Sequence, residues 1–280
     1  MHLQGTVAIV TGAARGIGKA IAEGLASCGV RLALADVLDE ELLKTADELG
    51  TAGATALAIP TDITDRRAVE ALAARVREEF GPADVLINNA GSLSALGPVW
   101  EVDAERWRRD VTVNLIGTFL VTREVVPQMI ERGGGYVINL VGAGVDKPHL
   151  YTTGYDTSKA GVVRLTEAVA LEAAEFGVKA FALFPGTVVT PMTEFIRDSA
   201  EGRRWRPGFG EFLDRTGGVP AQLAVDACLQ LLSGRLDALS GRYISAKRNL
   251  NDYPTQTDHI LANQSIPGDI ETNLRYVPYN

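Results

Sequence analysis

A tyrosine and a lysine four residues apart, Tyr155 and Lys159, are the residues in this sequence best suited to chemistry. They stand at the start of a predicted helix that runs to about Phe176. Residues four apart share one helix face, so the Lys159 ammonium should lie near the Tyr155 ring. A nearby positive charge favours the phenolate and lowers the tyrosine pKa, which makes the phenol a usable acid/base near neutral pH. Two unrelated side chains on a surface helix can have the same spacing, so the rest of the chain must show whether this pair belongs to an active site.

Length and composition limit the classes of protein to consider. The chain has 280 residues, 46% hydrophobic and 22% charged, as expected for one large α/β domain or two small ones. The net charge of −8 argues against nucleic-acid and anionic-membrane partners. No run of 18 apolar residues and no basic-then-apolar leader occurs, so we expect a cytoplasmic protein without a membrane span.

The cysteines and histidines do not indicate a metal site. Cys28 and Cys228 lie far apart in apolar helix patterns, which favours free buried thiols over a disulfide. The three histidines, His2, His149 and His259, are scattered. We therefore predict no bound metal.

Short apolar runs alternate with amphipathic segments along most of the chain. This alternation predicts an α/β fold, a doubly wound parallel sheet with helices on both faces. The predicted strands are 6–11, 30–35, 54–59, 84–87, 136–141, 178–184 and 241–245, and the predicted helices are 19–27, 39–49, 66–80, 103–126, 155–176 and 220–232. Residues 191–219 are predicted to be a mobile loop with short helices that covers a substrate, and 247–280 an extended tail that packs on the domain or on a neighbouring subunit.

A glycine-rich turn, Gly12 to Gly18, joins the first strand to the first helix. Glycines at Gly12, Gly16 and Gly18 let the backbone approach a pyrophosphate, and the helix N-terminus offers free N–H groups. The spacing is Gly-x3-Gly-x-Gly. A plain tight turn is the alternative, but the strand–turn–helix context favours dinucleotide binding.

An acidic residue, Asp36, ends the second strand. A carboxylate there suits a ribose with free hydroxyls and repels a 2′-phosphate, which favours NAD over NADP. Asp36 also fits a helix cap for the segment that follows, and both roles are compatible. Arg15 is a mild counter-signal, because a base in this turn suits a phosphate.

Several candidate segments directly follow strands. In a parallel sheet, ligands bind at the carboxyl ends of the strands. The segments that should meet at this edge are Gly12–Gly18, Asp36, Asp62, Asn88–Gly91, Gly142 and Pro185–Gly186. They predict a single cleft.

Over roughly residues 4–246 the chain resembles the short-chain dehydrogenase/reductase family. The residues that carry the resemblance are Thr11–Gly18, Asp62, Asn88-Asn89-Ala90-Gly91, Asn114, Tyr155 with Lys159, and Pro185-Gly186 with Thr190 and Met192. The resemblance implies a Rossmann-type single domain, taken here as 1–246 with a C-terminal extension at 247–280. It also implies a nicotinamide cofactor, interconversion of an alcohol and a carbonyl in a small-molecule substrate, and a homodimer or homotetramer formed through the helices that carry Asn114 and Tyr155.

The resemblance also implies roles for individual residues. Tyr155 is the acid/base, Lys159 lowers its pKa and binds the nicotinamide ribose, and Asn114 helps to hold a proton-relay water. Asp62 and Ile63 contact adenine, Asn89 the adenosine side, and Val188 and Thr190 the nicotinamide amide. The remaining cofactor-binding residues are Gly12, Arg15, Gly16, Ile17, Gly18, Asp36, Ala90, Gly91, Pro185 and Gly186, and Tyr155 belongs to this set as well.

One position departs from the family pattern. The family places a serine 13 residues before the tyrosine, where this chain has Gly142, and no serine occurs between Ala95 and Thr157. Losing such a donor costs on the order of 10²–10³ in rate. The replacement candidates that the sequence offers are Thr152, Thr153, Tyr151, Ser92, Ser94 and the backbone N–H of Gly142 or Ala143. Alternatively, Gly142 makes room for a bulky substrate that is oriented by contacts of its own hydroxyl or carbonyl groups.

Three functions remain open on these residues. The first is an NAD-dependent oxidoreductase acting on a secondary alcohol or its ketone. The second is a redox-neutral reaction that uses NAD transiently (epimerisation, elimination or lyase-type cleavage), and the third is a non-catalytic NAD-binding protein. Within 191–219, Arg203, Arg204 and Arg206 surround Trp205 and would suit an acidic or aromatic substrate, although a solvated loop anchored by Trp205 explains the run more simply.

Overall fold

Short apolar segments form one parallel β-sheet in the computed structural model, which describes residues 1–145, 148–248 and 250. The strands are β1 (Val7–Thr11), β2 (Arg31–Asp36), β3 (Ala56–Pro60), β4 (Val85–Asn88), β5 (Gly135–Leu140), β6 (Val178–Phe184) and β7 (Tyr243–Ser245). Their order is β3-β2-β1-β4-β5-β6-β7, and every pairing is parallel. The predicted fold class is confirmed.

Helices cover both faces of the sheet. They are α1 (Gly16–Ser27), α2 (Asp39–Thr51), α3 (Arg66–Phe80), α4 (Ala104–Val111), α5 (Thr118–Glu131), α6 (Thr153–Glu172), α7 (Pro191–Asp198), α8 (Ala200–Trp205), α9 (Pro207–Thr216) and α10 (Gln222–Leu232). Helices α1, α2 and α10 pack on one face, and α3, α5 and α6 on the other. Because both faces are covered, β1 and β4 are buried along their whole length, which explains their continuous apolar sequence.

The strand order reverses between β1 and β4. From β1 the chain crosses to β2 and β3 on one side, then returns to add β4 and the later strands on the other. The connections therefore leave in opposite directions at the carboxyl ends of β1 and β4, and a crevice opens between them. The glycine-rich turn follows β1 and Asn89 follows β4, so both lie at this crevice.

The predicted single helix over 103–126 is divided into three parts. Helix α4 ends at Val111, residues Thr112–Gly117 form a π-helical turn, and α5 continues to Glu131. Single π-helical turns inside helices are frequent at functional sites. An apolar pattern cannot distinguish this wider turn from an α-helical one, so the π-helical turn was not predictable from the sequence.

The predicted mobile loop at 191–219 consists largely of the three helices α7, α8 and α9. Two of its prolines and one of its glycines mark helix ends. Pro191 and Pro207 occupy first-turn positions, and Gly217 ends α9 with φ +65°, as these residue types prefer. The predicted short helices are present, but they occupy most of the segment. Most of the predicted tail, residue 249 and 251–280, lies outside the described residues.

Two further predictions concern the cysteines and the membrane. Both cysteines are free; Cys228 is buried and Cys28 half-buried. Among the helices described, none is long and apolar enough to cross a membrane.

Candidate active site

A cleft of about 740 Å³ lies at the carboxyl ends of the strands. Fourteen of the predicted cofactor residues line it: Gly12, Arg15, Gly16, Ile17, Asp36, Asp62, Ile63, Asn89, Ala90, Gly91, Tyr155, Lys159, Pro185 and Thr190. It therefore runs from Asp36, at the end of β2, to the Tyr155–Lys159 pair on α6. The predicted single cleft brings together segments separated by up to 178 positions in the chain, from Gly12 to Thr190.

The glycine-rich turn passes so close to its neighbours that side chains would not fit. A Cβ added to Gly12, which has φ +65°, would lie 2.8 Å from the Ala90 Cα. A Cβ added to Gly18 would lie 2.1 Å from the Gly12 carbonyl oxygen and 2.5 Å from Asn89 Nδ2. Gly18 does not line the cleft; its role is to let α1 pack closely against the turn. The N-terminus of α1 then faces the cleft, which is the arrangement that binds phosphate groups.

Backbone donors fix the Asp36 carboxylate at the other side of this turn. Its Oδ2 accepts from the Ala14 N–H at 3.0 Å, and its Oδ1 from the Val37 and Leu38 N–H groups at 2.8 and 3.2 Å. Neither of the last two donors belongs to α2, whose N-cap is Leu38 without a side-chain capping bond, so the alternative role of Asp36 as a helix cap is wrong. The carboxylate still lines the cleft, so it is held in one orientation toward a ligand there.

Lys159 is almost fully buried on α6. Its Nζ donates to the Leu140 carbonyl oxygen at 2.8 Å and lies 5.9 Å from the centre of the Tyr155 ring. Burial lowers the pKa of Lys159 from 10.5 to about 8, because a charged ammonium loses hydration there. The helical spacing thus places the two side chains as predicted.

The pKa of Tyr155 does not shift in the predicted direction. It is raised, first by burial, then by the Asp156 and Asp110 carboxylates, which disfavour a second negative charge nearby. The prediction rested on the charge of Lys159 alone, without burial or the two carboxylates. The Lys159 ammonium donates its hydrogen bond to the Leu140 carbonyl oxygen. The phenol is therefore protonated at neutral pH in this arrangement, the state in which it donates a proton.

Asn114 lies in the π-helical turn with no exposed surface. Its Nδ2 donates to the Ser92 carbonyl oxygen at 2.8 Å and to Ser158 Oγ at 2.9 Å, and its Oδ1 accepts from the Ser92 N–H at 2.7 Å. The side chain thus joins the segment after β4 to α6, and its donors and acceptor are occupied by protein groups. This satisfies the requirement that a buried amide find partners.

The Tyr155 ring lies against Gly142. A Cβ added to Gly142 would be 2.5 Å from Tyr155 Cε1 and 2.8 Å from its Oη. The place of the family's serine side chain is therefore filled by the tyrosine itself. A serine at this position would require the ring to move.

The side chains predicted to replace the serine are engaged elsewhere. Ser92 Oγ donates to Asp110 Oδ1 at 2.6 Å, as does Ser94 Oγ at 2.9 Å. Thr153 Oγ1 accepts from the Trp107 indole at 3.2 Å, and Thr152 Oγ1 from Arg206 at 3.4 Å. Ser92 lines the cleft, whereas Thr152, Thr153 and Gly142 are not among its lining residues.

The segment after β6 borders the cleft through Pro185 and Thr190. Thr190 caps α7, with Thr193 completing the reciprocal capping contact. Gly186 has φ +86° and, like Val188, is not a lining residue. Sequence reasoning missed several lining residues on α4 and the turn after it; they are Glu105, Arg108, Arg109, Thr112 and Val113.

The arginines around Trp205 do not line the cleft within the described residues. Arg203 bonds the Asp198 carbonyl oxygen, and Arg204 stacks on the Trp205 ring at 4.3 Å. The Trp205 ring packs against Tyr151, with 5.1 Å between centroids. This favours the simpler interpretation, in which Trp205 anchors the segment.

The pKa of Lys159 gives a testable dependence of stability on pH. Because the folded pKa is lowered, keeping this buried group charged costs stability below about pH 8, and the cost disappears as pH rises toward 10.5. We expect Lys159→Met to be more stable than the unaltered protein at pH 7, by about 1–3 kcal/mol, and the difference to shrink above pH 8. Urea unfolding across this range measures it; a difference independent of pH would contradict the buried, charged state.

Comparisons with known proteins agree with this geometry. The family model described as short chain dehydrogenase matches residues 6–201. Oxidoreductase YxbG of Bacillus subtilis is 31% identical over 257 residues, covering 90% of this chain and 93% of YxbG. The 2,3-dihydro-2,3-dihydroxybenzoate dehydrogenase of the same species is 35% identical over 190 residues, covering 68% of this chain and 72% of that enzyme. The solved structure of levodione reductase, 29% identical, superposes with a TM-score of 0.80 and covers 86% of this chain and 96% of that chain.

The chain therefore belongs to the short-chain dehydrogenase/reductase family. It is an oxidoreductase of that type, and the cofactor of the family is NAD or NADP. The predicted family membership is confirmed.

Proposed function

We propose that this protein is an NAD-dependent oxidoreductase that interconverts a secondary alcohol and a ketone in a small or medium-sized organic molecule. The observation that carries the proposal is one cleft with Asp36 at one end and the Tyr155–Lys159 pair at the other. The glycine-rich turn lies between them, where added side chains would collide with backbone. This is the space and chemistry that a dinucleotide requires.

The proposed roles follow from position. Gly12, Gly16 and the N-terminus of α1 hold the pyrophosphate, and Asp36 holds the adenosine ribose. Lys159 holds the second ribose. Bound NAD supplies the hydride acceptor, which is chemistry that no side chain provides.

Tyr155 is the proposed acid/base. In reduction its phenol donates a proton to the ketone oxygen; in oxidation the phenolate accepts the proton of the alcohol. The ionised form requires positive charge nearby, because burial and two carboxylates raise the pKa of Tyr155. The Lys159 ammonium is the nearest cation on the same helix face.

Gly142 supports keeping a second candidate function. Without a serine hydroxyl beside Tyr155, the substrate oxygen has one donor fewer, which favours a redox-neutral use of NAD or binding without turnover. Net NADH formation with a panel of secondary alcohols separates the candidates. Formation that is lost in Tyr155→Phe supports the oxidoreductase; turnover without net NADH supports the redox-neutral reaction, and NAD binding without turnover supports the non-catalytic protein.

The cofactor preference gives a separate prediction. Hydrogen bonds to a charged group contribute about 1.5–3 kcal/mol, so we expect Asp36→Ala to raise the Kd for NAD by about 10–100-fold and to reduce discrimination against NADP. Asp36→Asn is the matched control, because it retains an acceptor for the Ala14 N–H while removing the charge. Isothermal titration with both dinucleotides measures the change. Tighter binding of NADP than of NAD by the unaltered protein would contradict the preference.

A further inference from the structure

A buried carboxylate on α4, Asp110, lies beside the candidate active site and contacts neither substrate nor cofactor in the proposed chemistry, although its charge acts on Tyr155. It has no exposed surface. Its oxygens accept from Ser92 Oγ at 2.6 Å, from the Ser94 N–H and Oγ at 2.9 Å each, and from the Ala95 N–H at 3.0 Å. Every one of these donors belongs to the four residues 92–95, which we call the 92–95 segment.

This arrangement concentrates the interactions of Asp110 on one stretch of backbone. A buried carboxylate is costly unless hydrogen bonds replace its hydration. No ion pair in the described part of the chain involves Asp110. Its stabilisation therefore depends on the 92–95 segment being where it is, and displacement of that segment would leave a buried charge without donors.

Asn114, one helical turn later, forms hydrogen bonds to the same segment. Its side chain bonds both the N–H and the carbonyl oxygen of Ser92, at 2.7 and 2.8 Å. Residues four apart lie on one helix face, so Asp110 and Asn114 act side by side. Asp110 fixes the far part of the segment and Asn114 fixes its first residue.

The 92–95 segment continues directly from Gly91 in the cleft wall. A Cβ added to Gly91 would lie 3.2 Å from Asn114 Oδ1 and 3.6 Å from Lys159 Nζ. The wall held by Asp110 is therefore at the Lys159 end of the cleft. The opposite end, where Ala14 bonds Asp36, has no contact with this segment among the described hydrogen bonds.

We propose that Asp110 is a positioning residue that sets the cleft wall at the Lys159 end by holding the 92–95 segment. This rests on the proposed function, in which the nicotinamide half of NAD binds beside Lys159 and the adenosine half beside Asp36. Asp110 then affects binding of the nicotinamide half selectively. A residue that only stabilised the fold would affect both halves alike.

The test compares two ligands, NADH and ADP, the second of which lacks the nicotinamide nucleoside. In Asp110→Ala we expect the Kd for NADH to rise about tenfold and the Kd for ADP to change by less than about twofold. Asp110→Asn should stay within about threefold of the unaltered protein for both, because its amide oxygen accepts from Ala95 and its NH₂ donates to the serine hydroxyls. Asp103→Ser is the matched control: it removes a carboxylate from the start of the same helix and retains an N-cap.

The outcomes are distinct. Equal increases for NADH and ADP, or no increase in a folded Asp110→Ala protein, would overturn the inference and leave the proposed function intact. If Asp110→Ala does not fold, the Ser92→Ala/Ser94→Ala double variant removes two donors without altering the helix, and should raise the Kd for NADH about threefold with ADP unchanged. Failure of the unaltered protein to bind NADH would overturn both the proposed function and this inference.

Discussion

Tyr155→Phe is expected to lower kcat for secondary-alcohol oxidation by about 10³-fold, within the range that general acid–base catalysis contributes. The substitution removes only the phenol oxygen. The ring, which lies against Gly142, keeps its contacts. Within the described residues the phenol oxygen has no hydrogen-bond partner, so its loss should not alter the fold. Steady-state NADH formation measures the effect.

The cofactor affinity is the control for this variant. Because Tyr155 acts on the substrate oxygen, the Kd for NADH in Tyr155→Phe should remain within about twofold of the unaltered value. A variant that keeps more than about a tenth of the original kcat would show that another group performs the proton transfer. A variant that loses NADH binding would show that the tyrosine holds the cofactor.

Gly18→Ala is expected to abolish measurable dinucleotide binding, with a rise in Kd above about 100-fold, and to destabilise the protein by about 1–3 kcal/mol. The added methyl group would lie 2.1 Å from the Gly12 carbonyl oxygen and 2.5 Å from Asn89 Nδ2. The first neighbour is backbone, so the turn itself must move. NADH titration and urea unfolding measure the two effects.

Gly50→Ala is the matched control, because Gly50 lies in α2 with nothing within 4 Å of an added Cβ. There, alanine should stabilise the helix by about 0.5–1 kcal/mol and leave NADH binding unchanged. Unchanged NADH binding in Gly18→Ala would contradict the close packing of the turn.

The fold and the cleft were largely predictable from sequence for one physical reason. Strands buried on both faces must be largely apolar, so β1, β2 and β4 stand out as short apolar runs between amphipathic helices. Parallel pairing then places whatever follows each strand at one edge. That rule alone located Gly12, Asp36 and Asn89 in one cleft.

The contacts across elements were not predictable. Nothing in the sequence indicates that the Tyr155 ring fills the space beside Gly142, because that depends on the path of the loop after β5. The same holds for Ser92, which looks free in sequence but bonds Asp110. Asp110 lies four positions before Asn114 in the predicted helix, and this spacing indicates that both polar side chains share one helix face.

The direction of the Tyr155 pKa shift illustrates the same limit. Helical spacing predicts that Lys159 is near, and it is. The pKa of Tyr155 is nevertheless raised, first by burial and then by the carboxylates of Asp156 and Asp110, and burial depends on the whole structure. Asp156 is adjacent to Tyr155 in sequence, so its effect on the pKa was predictable. Asp110 comes near Tyr155 only because α4 packs against α6.

The most direct test of the proposed function is isotope transfer from substrate to cofactor. A panel of secondary alcohols carrying deuterium on the carbinol carbon is incubated with NAD and the protein, and the cofactor is analysed by mass spectrometry. We predict that one deuterium appears in the reduced cofactor with at least one alcohol, and that none appears with Tyr155→Phe. Turnover of an alcohol that leaves no deuterium in the cofactor at the end of the reaction would contradict the account.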